Sequence, residues 1–299
     1  MESTKITHKS ISSTLLFWLK VSRPGLWFAT LWLYLLPTSQ MDNIWTSSSF
    51  WIGFVYVTFP LNFLVYGWND MVDRETDLLN PRKDSFWFGA RGTAAQLEKL
   101  WQPMLVIHAL YGSFLLYLVG WKMLVLLLVF VVINGAYNLP KNGLRSRPPL
   151  ELLCQVGYVL TALFSVYINE TPNLPWQTYL YLLFFAWQSH LIGEVMDIEP
   201  DSQAGRRTTA TILGVKGTKL LIIGIVLVEV LMLIFVFKDV VFGGMLAIGL
   251  IWLLLDLFFI YKAKTYSVNQ MKLFGAMSNV VAIASMGYVW WSGCLLTVG

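Results

Sequence analysis

Nine apolar stretches, each close to the length of a membrane-crossing helix, recur along the chain at roughly 24–40, 48–69, 101–120, 123–139, 151–169, 177–197, 218–237, 240–261 and 273–296. A bilayer interior offers no partner to a free backbone N–H or C=O, so such stretches must close their own hydrogen bonds as helices. The composition agrees, with 57% hydrophobic and only 13% charged residues over 299 positions. The expected fold class is therefore all-α, a polytopic membrane protein with nine transmembrane helices. Pro24 and Gly25 interrupt the first stretch, and residues 12–22 read as an amphipathic interfacial helix leading into it. Little more than Gly120, Trp121 and Lys122 separates the third stretch from the fourth.

Charge placement tests this count, because Lys and Arg stay on the cytoplasmic side of membrane spans. Counted from a cytoplasmic N-terminus, only Lys122 and Lys238 fall on the far side, and the other 19 of the 21 Lys and Arg residues collect on one face. That split is hard to obtain if a span is missing or invented. It predicts an integral, multi-pass protein with its N-terminus and polar loops cytoplasmic and its C-terminus opposite. The net charge of +4 then reflects topology and calls for no nucleic-acid partner. The first twenty residues lack the continuous apolar region and small-residue site of a cleaved signal peptide. Cys154 and Cys294 both lie in apolar runs and support neither a disulfide framework nor a zinc site. With no low-complexity linker, residues 1–299 read as a single membrane-embedded domain.

Two acidic clusters interrupt this apolar background. In NDMVDRETD, residues 69–77, Asn69, Asp73 and Asp77 recur every four positions, which on a helix stacks three oxygen-bearing side chains on one face. Asp197 and Asp201 repeat the spacing after the sixth stretch, with Glu194 a turn earlier and Pro200 expected to bend or end the helix. Four spans separate the clusters, so both face the same mouth. A hard cation such as Mg2+ takes oxygen ligands and shares its sphere between one or two carboxylates and a phosphate. The same side supplies cations for a diphosphate: Arg74, Arg82, Lys83, Lys141, Arg145, Arg147, Arg206 and Arg207. Flanking charge by itself needs no substrate; two clusters at related spans, each spaced i, i+4, favour a functional site. A transporter with a cation-binding mouth is the competing non-enzymatic reading, although alternating access favours binding near the midplane.

In order and spacing these residues resemble the UbiA superfamily of membrane prenyltransferases, whose motifs are NxxxDxxxD and DxxxD. SQAGRRTTATILG, with Gly205, Thr208, Thr209 and Gly214, is similar to the family's second loop. Tyr137–Arg147 resembles, more loosely, its YxxxxxxxK/R connection. The resemblance implies a helical bundle around a central cavity, with Mg2+ bridging aspartates to an allylic prenyl diphosphate. It makes Asn69, Asp73, Asp77, Asp197 and Asp201 metal or diphosphate ligands, and Lys141, Arg145 and Tyr137 diphosphate contacts; Arg74, inside the first cluster, joins them as a cation. The implied reaction transfers a prenyl group to a lipophilic acceptor. NPRKDSFWFGARG differs from the NRPLPSG-like segment of many quinone- and chlorophyll-type members, and together with SHLIGEVMDIEPD it is closer to the lycopene elongase type. VMDIEPD departs from that type's AIPDIE. An aromatic acceptor and a UbiA-type terpene cyclase are the alternatives.

The mechanism expected from these residues is ionisation of the allylic C–O bond, with charge spreading over prenyl carbons in an aromatic-rich cavity. His190 lies seven residues before Asp197, about 10 Å deeper along a helix, where it either accepts the proton lost after the acceptor attacks or bonds a neighbouring helix. Glu229 and Asp256 inside spans seven and eight, and Asn62, Gln188 and Asn279, either serve the cavity or pair between helices.

Overall fold

The computed structural model describes residues 11–140 and 143–299. The described residues are almost wholly helical. α1 (Ile11–Val21) lies before a short helical pass made of a 3-10 turn, α2 (Trp27–Leu35) and a second 3-10 turn at Leu36–Thr38. α3 (Ser48–Val72) carries the first cluster at its end, and α4 (Arg74–Leu79) continues it. After a loop come α5 (Ala94–Glu98), α6 (Trp101–Val119) and α7 (Trp121–Asn138), the last two joined by Gly120 alone. Its φ of 88° is a conformation few residues other than glycine adopt, and it reverses the chain in one step. α8 (Leu150–Leu153), α9 (Val156–Asn169), α10 (Trp176–Gln203), α11 (Thr209–Leu231), α12 (Val240–Leu255) and α13 (Val268–Ser292) complete the bundle.

Among the described residues, seven helices are long and apolar enough to cross a membrane. They correspond to the second to fifth and seventh to ninth predicted stretches. The two others form helix of a different kind. Residues 24–38 make a short pass, about 25 Å long at ordinary helical rises. α10 has 28 residues, about 42 Å, and is the polar one because His190, Glu194, Asp197 and Asp201 ride on it. Pro200 does not end α10, which runs on to Gln203. The seventh helix also starts earlier than expected, at Thr209, so Lys219 lies in its middle, buried, and not at the end of a span.

Packing divides into local clusters. Tyr34, Phe50, Tyr56, Leu115, Met123 and Phe164 fill the space between α2, α3, α6, α7 and α9. Trp32, Tyr181, Leu182, Leu233, Phe242 and Val289 fill that between α2, α10, α11, α12 and α13. Many of the remaining large apolar side chains face outward, Phe259, Ile283 and Trp291 among them, as lipid-facing residues do. Asn62 donates to Thr30 Oγ1 at 2.9 Å and Asn279 to the Gly25 carbonyl at 2.9 Å, so these two amides tie helices together.

The loop at residues 80–93 is clamped onto the bundle. Gly25 donates to the Phe86 carbonyl at 2.9 Å, and the Trp87 ring lies so close to Gly25 that a Cβ there would collide with it. The sequence NPRK is thereby held beside both acidic clusters.

Candidate active site

The helix predicted through Asn69, Asp73 and Asp77 breaks at its middle member. Asp73 (φ −90°, ψ 12°) is the joint between α3 and α4. The i to i+4 backbone bonds persist across it, Asp73 N to Asn69 O and Asp77 N to Asp73 O, both at 2.8 Å, so the chain keeps its helical course through the joint. Asn69 Nδ2 donates to Asp73 Oδ2 at 2.8 Å and lies 3.4 Å from Asn138 Oδ1 on α7.

The second cluster meets the first through one guanidinium. Arg206 Nη1 donates to Asp73 Oδ2 at 3.1 Å and stands 3.5 Å from Asp201 Oδ1. Arg145, in the 3-10 turn after α7, pairs with the other oxygen of Asp73. Asp197 receives Asn80 Nδ2 at 2.8 Å and pairs with Arg82. Lys83 Nζ lies 2.7 Å from Asp77 Oδ2 and 2.7 Å from Asp70 Oδ1, and Arg23 Nη2 lies 2.7 Å from the same Asp70 oxygen. Every predicted aspartate thus has a cation beside it, supplied by NPRK, by the turn after α7 or by the loop after α10.

Burial gives this network its electrostatic character. The Asp77 carboxyl is pushed up to about 7 by burial, against the pull of Lys83. Asp201 is pushed up to about 7 for the same reason, Arg206 opposing and the neighbouring carboxylates Asp197 and Asp73 adding to it. Burial lowers Arg145 below its ordinary value despite Asp73. Arg206 sits above its own, because Asp73 and its other partners outweigh the burial that works against its charge.

Among the described residues, no group of three or more His, Cys, Asp or Glu side chains forms a ready metal cage. Mg2+ is usually held by one or two carboxylates together with substrate phosphates, so a cage is not what its chemistry requires. Arg206 Nη1 already places positive charge within reach of one carboxylate from each motif. The donor set is hard oxygen throughout and fits a magnesium ion.

The other expected residues lie as follows. Tyr137, on α7, meets His190 edge to face with ring centres 6.2 Å apart. His190 Nε2 stands 3.2 Å from Glu194 Oε1. Arg74 does not join the network: it follows the joint at Asp73, turns outward and pairs with Glu98 at 3.0 Å on the surface. Lys141 lies outside the described residues. Asp256 proves to be an interhelical partner, its Oδ2 2.7 Å from Lys219 Nζ and accepting from Tyr266 Oη at 2.6 Å. Glu229, fully buried in α11, has Gln188 of α10 as its polar neighbour.

Several participants were not singled out by spacing. Asp70, adjacent to Asn69, meets Asp77 through Lys83, which lies 2.7 Å from both, and also gathers Arg23. Glu151 of α8 accepts the Thr209 amide at 2.8 Å and the Thr209 hydroxyl, and Glu194 accepts the Ala210 amide at 3.0 Å, so two carboxylates share the N-terminus of α11. Thr208 closes that end with a capping box to Thr211.

Comparison with known proteins places this arrangement. Over 209 residues the chain is 29% identical to a lycopene elongase/hydratase of Corynebacterium glutamicum, covering 66% of this chain and 69% of that one. Over 199 residues it is 31% identical to a lycopene elongase/hydratase of Halobacterium salinarum, covering 64% and 68%. The fold matches a UbiA homolog from Archaeoglobus fulgidus solved with DMAPP and Mg2+, with a TM-score of 0.66 at 16% identity over 91% of this chain and 99% of that one. The same homolog with GPP and Mg2+ gives 0.62 at 16% identity over 90% and 99%. The description "UbiA prenyltransferase family" matches residues 26–280, which include both aspartate motifs and every element that bears them, and the chain belongs to that family.

Proposed function

We propose that this protein transfers a prenyl group, within the membrane, from an allylic prenyl diphosphate to a lipophilic acceptor of the carotenoid or polyene type. The observation that carries the reading is Arg206 between Asp73 and Asp201, which joins the two motifs into one charged cluster. Asn69, Asp73, Asp77, Asp197 and Asp201 would hold Mg2+, and Arg145, Arg206, Lys141 and Tyr137 would face the diphosphate. Arg206 takes the part expected of Arg74, which is engaged with Glu98. When bound, the metal neutralises charge on the diphosphate and eases its departure. Arg145 and Arg206, held at Asp73, would offer guanidinium forks that suit phosphate oxygens. The allylic C–O bond breaks with its electron pair leaving on the diphosphate, an acceptor alkene supplies the pair for the new C–C bond, and a neighbouring proton is lost to His190. The polyene acceptor is favoured because the relatives at 29% and 31% identity are lycopene elongase/hydratases.

This reading includes one membrane domain over residues 1–299, nine crossings and a cytoplasmic N-terminus. Two contacts support the crossings that apolarity does not count. Arg23 touches Asp70 across α2 and α3, so one return through the membrane must precede α3. Arg206 touches Asp73, so an even number of crossings lies between them, and α10 supplies the fourth.

The test is diphosphate release and product formation by purified protein with Mg2+, each of the dimethylallyl, geranyl, farnesyl and geranylgeranyl diphosphates, and lycopene. Asp73→Ala, Asp197→Ala and chelation of divalent metal are each expected to remove activity. Undiminished turnover in any of the three sinks the proposal. A cyclised hydrocarbon formed without acceptor assigns the cyclase in its place.

A further inference from the structure

We infer that Glu194 is a positioning residue for proton removal: it holds His190 with Nε2–H turned to its carboxylate, leaving Nδ1 as the atom that takes the proton. The inference rests on the prenyl-transfer reading above. Spacing alone groups Glu194 with the metal-binding acids, one turn before Asp197. Its contacts say otherwise. One oxygen, Oε2, accepts the backbone amide of Ala210 at 3.0 Å, in the first turn of α11. The other, Oε1, stands 3.2 Å from His190 Nε2, one helical turn deeper. Neither oxygen is paired with the cations that serve Asp73, Asp77, Asp197 and Asp201.

The two anchors act together. The carboxylate is buried, 7% exposed, and its bond to the α11 N-terminus fixes its orientation. A fixed carboxylate beside one imidazole nitrogen selects the tautomer protonated at that nitrogen, and it stabilises the imidazolium formed when the other nitrogen takes a proton. Among the described residues Nε2 is buried without an aligned hydrogen bond, and Glu194 Oε1 at 3.2 Å is the carboxylate oxygen set beside it to accept one. Tyr137 meets the imidazole ring edge to face and limits its rotation. The side chain of His190 keeps 17% exposure, so one part of the ring is still open to a substrate.

The chemistry balances without a further reagent. Attack on the prenyl cation leaves positive charge on an acceptor carbon. The electron pair of an adjacent C–H bond forms the new C=C, and the proton passes to His190 Nδ1. Water is the competing acceptor of that charge and gives the alcohol, so a wild type that itself yields mainly alcohol overturns the inference.

The measurement is alkene product formed per diphosphate released, with dimethylallyl diphosphate, Mg2+ and lycopene, or the acceptor that gives product in the screen above. Glu194→Gln keeps an oxygen for the Ala210 amide but loses the charge. That ratio is expected to fall at least tenfold in Glu194→Gln and in His190→Asn, with alcohol replacing alkene, and no further in the double variant. A general loss of structure lowers both quantities together and leaves the ratio unchanged, which overturns the inference. So does an unchanged ratio in Glu194→Gln, or independent, multiplying effects of the two substitutions. A wild-type protein that releases no diphosphate fails the prenyl-transfer reading itself, a separate result from an active wild type insensitive to Glu194→Gln.

Discussion

At the scale of single residues, Arg206 has the greatest consequence for its size. Its guanidinium reaches carboxylates from both motifs, and a fork of fixed geometry can serve two oxygens where an ammonium acts as a point charge. Arg206→Gln is expected to lower kcat/KM for the prenyl diphosphate by about 10²–10³-fold, the scale of losing one preorganised donor to developing charge. Arg206→Lys should fall between, and Arg207→Ala, exposed one position on, should stay within about twofold of wild type, the range of an ordinary surface substitution. Steady-state kinetics on the three variants decides it; equal losses at 206 and 207 would mean that the local positive field matters and the bridge does not. Asn69, Asp73, Asp77, Asp197 and Asp201 were legible in the sequence because helical periodicity is a local property. Arg206 was only one cation among several, since its partner Asp73 lies 133 positions away and no spacing rule spans that distance. Asp70 was hidden for a different reason: it falls outside the i, i+4 series of Asn69, Asp73 and Asp77, and its partners Arg23 and Lys83 come from two other segments.

Helices are joined in this bundle by a few buried polar contacts, and the pair between α11 and α12 is the most exposed to test. Lys219 and Asp256 are 4% and 3% exposed and lie 2.7 Å apart, with the Tyr266 hydroxyl donating to the same carboxylate oxygen. Lys219 also donates to the Lys262 carbonyl at 3.0 Å, so one ammonium fastens both α11 to α12 and the turn that follows. Removing one member leaves the other charged and buried, a loss of about 3–5 kcal/mol, whereas replacing both with apolar residues of similar size is often neutral. Lys219→Met and Asp256→Leu are each expected to lower the unfolding midpoint in detergent, and the double variant to recover most of the loss. Equal or greater loss in the double variant would refute the pairing as the source of stability. The sequence could not show this pair, because a charge near the end of an apolar stretch looks the same whether it points to water or to a neighbouring helix. Nor did it show where α11 begins: Thr208 and Thr211 form the cap ten residues before the apolar run becomes continuous, and Gly214, at φ 68°, bends the intervening turn in a conformation suited to glycine.

For the molecule as a whole, the decisive quantity is the number of times the chain crosses the membrane. If only the seven strongly apolar helices crossed, three crossings would separate Asp73 from Asp201, and the two motifs would lie on opposite faces. The shared contact with Arg206 cannot be made across a bilayer about 30 Å thick. Counting α10 as a crossing restores the pairing, and the contact between Arg23 and Asp70 makes the same demand of α2. If α10 crosses, apolarity undercounts because a helix lining a charged site carries polar residues, here His190, Glu194, Asp197 and Asp201, where a lipid-facing helix carries apolar ones. The charge asymmetry read from sequence is indifferent to that exchange and keeps the nine-crossing parity. Single cysteines placed at the exposed positions Ala95, Ser202, Thr46 and Thr297, after Cys154 and Cys294 are replaced, separate the two counts. In sealed vesicles of known orientation, an impermeant thiol reagent should reach residues 95 and 202 from the cytoplasmic side only, and 46 and 297 from the other side only. Labelling of 95 and 202 from opposite sides would remove α10 from the crossings, and with it the single mouth in which both aspartate motifs meet one diphosphate.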